Sequence, residues 1–426
     1  MHKIVTTPAS VRLSFGHTGL DLDVPDGVDV LAPWPVAALT DPQGAIRRAL
    51  LAPTHGVGLP SLAPRGAIVA VSICDVTRPF PSRTVLPVLL DELPGRRVRL
   101  LIATGSHRAC TPSELEAMLG SDVIGACELF QHDADSEAEH VTLGSVPGSN
   151  VPARIDRRFV EADVRVTLGF VEPHFFAGFS GGPKMVAPGL AQLETIAELH
   201  SAKRIGDPRA IWGVLEGNPV HDPIRALAAR ASVAFGLDVA LDRDHQIVAI
   251  FSGELEHEHR SACAHVKATA MVRVAQPYDV VVTTNSGYPL DQNLYQCIKG
   301  LRAAAGIVRE GGLIILAAAC EDGLPAHGGY ADLLATSTGP AEFLRHLSQG
   351  EVHERDQWQV QVQAQVQSKA RVLAFTPGIT VDDLRRAWLE PSDDVASALK
   401  EGLARAGRGA RAAILPDGPQ TIAYVV

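Results

Sequence analysis

From residue 67 onward, short apolar runs alternate with segments whose apolar residues recur every three or four positions. AIVAVSI (67–73) and VRLLIAT (98–104) predict strands, and TVLPVLLDEL (84–93) between them predicts a helix. PSELEAMLG predicts a further helix, entered through Thr111 as N-cap with Pro112 at the first helical position. ADVRVTLGFV (162–171), YDVVVTTN (278–285) and GGLIILAAAC (311–320) continue the strand series; PGLAQLETIAELHSAK (188–203) and LYQCIKGLRAAAGIV (294–308) continue the helices. Such alternation is the βαβ signature of parallel sheets covered by helices, with functional loops at the carboxyl ends of strands.

The polar–apolar alternation of the first 24 residues predicts a strand pair. A boundary near residue 272, where HEHRSACAHVKATAMVRV gives way to QPYDVVVTT, divides the chain into 1–272 and 273–426. The expected fold is therefore two Rossmann-like α/β domains with mainly parallel sheets and an active-site cleft between them. The Gln-rich stretch 351–372 predicts a helix followed by a strand.

Composition narrows the function. At 426 residues with 46% hydrophobic and 20% charged, the chain is globular, and its formal charge of −10 supplies no basic field for nucleic acid or an anionic membrane. Cys74, Cys110, Cys127, Cys263, Cys297 and Cys320 lack paired short spacings, so a cytoplasmic protein with free thiols is expected.

Candidate chemistry collects at four strand ends. Asp75-Val-Thr77-Arg78 follows the first strand, offering a carboxylate and a guanidinium suited to gripping an anion, where a plain Pro-enforced turn is the alternative. Thr104-Gly-Ser-His107-Arg follows the second; a single histidine there is as often structural as catalytic. The third, Glu172-Pro-His174-Phe-Phe-Ala-Gly178-Phe-Ser180-Gly181-Gly182-Pro-Lys184, has glycines that let backbone amides approach a phosphate and a lysine able to pair with it or act as an amine nucleophile. It is not a P-loop: Pro183 stands where the second glycine belongs, and Met185 replaces the Mg²⁺-binding hydroxyl. In the fourth, Gln296 and Lys299 lie three apart on one helix face, beside Tyr295. His200, at the end of the helix begun by Pro188 and Gly189, reads either as a last-turn histidine favoured by the dipole or as the ligand of a metal held mostly by a non-protein group. His257 with His259, and His132 with His140, read as surface features.

Together DVTRPFP, ATGSHR, PHFFAGFSGGPK, AELH and GYPLDQNLYQCIKG, running in order from about residue 70 to 320, resemble the lactate racemase family, whose enzymes use a nickel-pincer nucleotide; GNPVHD (217–222) is also similar to family sequence. The resemblance implies an isomerase, a racemase or epimerase of a 2-hydroxy acid working by reversible hydride transfer through a 2-keto acid. It implies Lys184 as thioamide anchor of the pyridinium-3,5-bisthiocarboxylic acid mononucleotide and His200 as the protein's nickel ligand. His107 and His174 would be the paired bases. Arg78 and Lys299, with Gln296 and Tyr295, would hold the substrate; Asp75 and Thr77, with Gly178, Ser180, Gly181 and Gly182, would bind the nucleotide, Asp75 also orienting neighbouring groups. The expected partners are the small-molecule acid and the proteins that make the cofactor. Pro183 departs from the family pattern, in which a basic or polar residue more often precedes the lysine. Two rival readings are an enzyme using Lys184 on a phosphate-bearing substrate and a non-catalytic cofactor-binding protein; two base histidines argue against the latter, since binding alone needs neither.

Overall fold

The computed structural model describes residues 8–32, 35–146, 148–242, 244–325, 329–352, 354 and 356–425. The chain forms two compact units. The first is Pro35–Ala268; the second joins the described part of Met1–Trp34 to that of Thr269–Val426.

In the first unit, five strands pair in parallel: Ile68–Cys74, Arg97–Ala103, Glu128–Gln131, Val164–Phe170 and Phe235–Leu241. Counted along the chain, they lie side by side as third, second, first, fourth, fifth, and Ile247–Gly253 adds an antiparallel edge to the fifth. The order reverses between Ile68–Cys74 and Val164–Phe170, so the loops leaving these two strands flank the crevice that such a reversal opens. Val69, Val71, Ile73, Leu100, Ile102, Val166 and Leu168 are fully buried in the core around this sheet. The central strands are apolar on both faces because helices cover both. Thr111 caps Pro112–Leu119 as expected and closes a capping box with Glu114.

The second unit repeats the plan with a wholly parallel sheet. Glu390–Pro391, Arg371–Phe375, Val308–Ala317, Tyr278–Thr283, Ala412–Leu415 and Asp29–Val30 lie in that order. The helix Gln357–Lys369 precedes the strand Arg371–Phe375, as the Gln-rich stretch predicted. The N-terminal strand pair is present as Ser10–Leu13 against Leu20–Asp23.

Three expectations are corrected. The first domain does not begin at residue 1: Asp29–Val30 pairs with Ala413 and Ile414, and Leu13, Leu22 and Val28 share a core with Val282 and Ile414. The first unit is thus inserted between two parts of the second, and the boundary lies at 268/269, close to the expected 272. The helix drawn from residue 188 spans only Leu193–Leu199, with Gln192 as its cap, because the amides of Gly189, Leu190 and Ala191 bond back into the preceding turn. His132, His140 and His259 are buried, and only His257 of the four is exposed. Among the described residues, no helix is long and apolar enough to cross a membrane.

Candidate active site

The loop after Ile68–Cys74 is organised by Asp75, whose side chain is almost fully buried. Its Oδ1 accepts the Thr77 hydroxyl at 2.6 Å and the Thr77 amide at 3.2 Å, and its Oδ2 lies 2.7 Å from His107 Nδ1. Burial alone would raise the Asp75 carboxyl; the His107 hydrogen bond, the Arg78 guanidinium and the Thr77 hydroxyl hold it below its ordinary value. An ionised Asp75 fixes the imidazole with hydrogen on Nδ1 and the lone pair on Nε2. Arg78 donates to the Thr77 carbonyl and hydroxyl at 3.1 and 3.0 Å, so carboxylate, hydroxyl, guanidinium and imidazole form one network spanning two strand ends.

The loop after Val164–Phe170 is a short hairpin with a three-residue tip. Pro173–His174 pairs with Gly178–Phe179, and Phe175, Phe176 and Ala177 form its buried tip. Ser180 closes its base, accepting the Glu172 amide at 2.9 Å and donating to the Phe170 carbonyl at 3.0 Å. The Ala177 amide donates to His174 Nδ1 at 3.3 Å, which puts that ring's hydrogen on Nε2. The two histidines are therefore held in opposite tautomers.

Phe176 is the hub of this loop. Its ring meets His174 edge-on at 4.5 Å and His200 edge-on at 5.1 Å, and Lys184 Nζ stands 5.9 Å from its centroid. Asn218, in GNPVHD, braces the tip by donating to the Phe176 carbonyl at 2.9 Å. Burial, with the nearby Lys184 charge, pushes His200 down to about 4 despite its Ile196 hydrogen bond, so the ring is neutral at pH 7. Its Nδ1 donates to the Ile196 carbonyl at 2.7 Å, putting the lone pair on Nε2 in the form a metal requires.

Lys184 sits in the single turn Gly182–Met185, with Pro183 at its second position. Ser72 donates to the Met185 carbonyl at 2.7 Å, seating this turn on the strand that ends in Asp75's loop. The Gly105 amide donates to the Gly189 carbonyl at 3.0 Å, tying the His107 loop to the segment that follows. The loops of three strands are thus laced together. Gly181 and Gly182 have φ of +75° and +46°, and a Cβ on either would strike protein: Asp238 and Val171 at 2.7 Å, or the His259 ring at 2.5 Å. This crowding comes from the chain itself and was not foreseen from sequence.

Tyr295, Gln296 and Lys299 belong to the other unit, on the helix Leu294–Ala305 capped by Asn293. Lys299 donates to Gln296 Oε1 at 3.1 Å, so the spacing of three does bring them together. The Tyr295 hydroxyl donates to Asp356 at 3.3 Å. Among the described residues, no group of three or more His, Cys, Asp or Glu side chains could hold a metal ion.

A carboxylate-braced histidine, a second histidine of opposite tautomer and a lysine lie in the loops that leave three neighbouring strands of a parallel sheet, two of them flanking its order reversal. Residues 15–213 match the lactate racemase N-terminal domain and residues 274–423 the lactate racemase C-terminal domain. The chain is 35% identical to the lactate racemase of Thermoanaerobacterium thermosaccharolyticum over 97% of its own length and 99% of that protein. It is also 35% identical to the lactate racemase of Lactiplantibacillus plantarum, over 88% and 89%. The solved lactate racemase apoprotein from T. thermosaccharolyticum superposes with a TM-score of 0.90 at 34% identity, covering 97% of this chain and all of that one. The chain belongs to the lactate racemase family, and it is an isomerase.

Proposed function

We propose that the protein racemises or epimerises a 2-hydroxy acid, of which lactate is the simplest, with a nickel-pincer nucleotide bound at Lys184. The observation that carries this reading is the grouping of His174, Lys184 and His200 around Phe176 beside the Asp75–His107 pair. The residues present fit the cofactor: a primary amine on a short rigid turn to anchor it, and a neutral buried imidazole with its lone pair on Nε2 to ligate nickel. Asp75, Thr77 and the segment Gly178–Gly182, with Ser180, order the loops around it. When bound, the group supplies a reversible acceptor for the substrate's C2 hydride.

The chain's own residues manage the rest. His107, with its Nε2 lone pair, takes the hydroxyl proton from one hand of the substrate as the C2–H bond breaks and the C=O bond forms. His174, protonated from solvent, gives its Nε2 proton to the carbonyl oxygen when hydride returns to the opposite face of the 2-keto acid and is left neutral, while His107 returns the proton it took to solvent. The two exchange roles in the reverse direction. Arg78 and Lys299 hold the substrate carboxylate, and Gln296 and Tyr295 help to position it. The enzyme works in the cytoplasm and is loaded by cofactor-biosynthesis proteins. Racemisation of 2-deuterated lactate tests the reading: product that keeps its deuterium, with none entering C2 of unlabelled substrate from deuterated water, is expected. Solvent exchange at C2 during racemisation overturns it.

A further inference from the structure

The mechanism leaves a buried acidic pair unused. Asp238, on the strand Phe235–Leu241, and Glu258, on the helix Leu255–Ala270, are each only 1% exposed. Asp238 Oδ1 and both Glu258 oxygens are buried without a hydrogen-bond partner. An unsatisfied buried oxygen is costly, so Asp238 is a poor choice for packing alone. Asp238 Oδ2, by contrast, accepts the Gly182 amide at 2.8 Å. Its two oxygens also fill the space where a Cβ on Gly169 or Gly181 would stand, 2.7 Å away in each case.

We propose that Asp238 is a positioning residue for Lys184. It holds the Gly182 amide and so fixes the turn Gly182–Met185 from the sheet side, while Ser72 holds the same turn at the Met185 carbonyl. The turn is pinned at both ends, with the lysine between the pins. Burial raises both carboxyls, Asp238 up to about 7 and Glu258 well above its ordinary value with help from the Asp238 charge. What Asp238 supplies to the turn is an acceptor oxygen, which a side-chain amide also carries.

The inference rests on Lys184 as cofactor anchor, and the experiment separates the two. Wild type, Asp238→Ala, Asp238→Asn and Asp238→Leu are co-expressed with the proteins that make the nickel-pincer nucleotide, and the fraction of chains carrying the adduct is read by intact mass. Hydrogen exchange of the peptide spanning 180–186 is followed on cofactor-free protein. Asp238→Ala should exchange faster there and load about tenfold less, the scale of one lost hydrogen bond to a partly charged acceptor. Asp238→Asn should match wild type in both readouts, because its side-chain oxygen can take the Gly182 amide, whereas Asp238→Leu, which fills the space without an acceptor, should behave like the alanine variant. Equal loading of folded Asp238→Ala overturns the inference, and so does an Asp238→Asn protein that loads as poorly as the alanine variant. If Asp238→Ala does not fold, the asparagine arm alone decides. Failure of wild type to acquire any adduct on Lys184 instead defeats the cofactor reading.

Discussion

The two units share one architecture and use its order reversal in opposite ways. In the first, the crevice between Ile68–Cys74 and Val164–Phe170 is bordered by loops carrying Asp75, Arg78, His174 and Lys184. In the second, the equivalent reversal lies between Tyr278–Thr283 and Ala412–Leu415, and the chain's own N-terminal segment bonds to both loops. Ser14 donates its amide to the Pro416 carbonyl at 2.9 Å and its hydroxyl to Asp417 at 2.6 Å; Asp291 accepts the Gly16 and Ala319 amides at 2.8 and 2.9 Å. One crevice is bordered by titratable side chains, whereas at the other Ser14, Asp291 and Asp417 bond to the segments around them, and Gln296 and Lys299 stand further along, on the helix that follows the Tyr278–Thr283 loop. The same switch point can thus be lined by side chains or filled by the chain itself.

The sharpest way to break this contrast is Lys184→Ala. It should abolish the covalent adduct altogether, with the chain still folded, as read by intact mass and circular dichroism; Lys184→Arg should not restore it, because a guanidinium cannot form the thioamide. Next, His107→Ala and His174→Ala should each lower turnover by roughly a hundredfold or more. The loss in kcat/KM should be equal from either enantiomer, since an equilibrium near unity ties the two values together; chiral chromatography of initial rates at low substrate checks it.

The third prediction concerns acid. Burial pushes His259 down to about 4, while an unfolded histidine titrates near about 6.5. A depressed histidine contributes stability that is fully present above the unfolded value and is lost as pH falls toward the folded one, because the unfolded chain then binds the extra proton. His259→Phe should therefore flatten the acid sensitivity of the first unit between pH 6.5 and 4 by about 3 kcal/mol, leaving the second unit's profile unchanged. Denaturant titrations at several pH values, followed by hydrogen exchange in each unit, measure this. The smallest effect belongs to the closed crevice: Ser14→Ala should cost about 1 kcal/mol of stability in the second unit, the worth of a typical hydrogen bond. Adduct formation on Lys184 should be unaffected, and a Ser14→Ala protein that loses the adduct would show the two crevices to be coupled.

Much of this was legible in the chain because it is local. Strand runs, the Thr111 cap and the Gln296–Lys299 spacing depend on residues within a turn or two of one another, and all three appear as the pattern implied. The motifs that carry the family resemblance are likewise short loops at strand ends. What escaped depends on distance along the chain. Nothing near Asp29 announces a partner strand at Ala412–Leu415, and nothing near Gly181 announces the carboxylate of Asp238. One cue was present: an acid inside the apolar strand FGLDVAL has to be buried, and a buried acid has to be holding something. His259 was misread because helical spacing gives the face a residue shares but not whether that face is covered.

The insertion of one unit inside the other sets an order for synthesis. Pro35–Ala268 is continuous and has its full set of partners as soon as it leaves the ribosome. Asp29–Val30, made earlier, has to wait for Ala413 and Ile414, about 380 residues later, or roughly 20 to 80 s at ordinary elongation speeds. The half that carries Lys184 is thus finished while the half that carries Lys299 is still an open sheet, so a nascent chain halted shortly beyond residue 268 should already present a folded anchor for the cofactor.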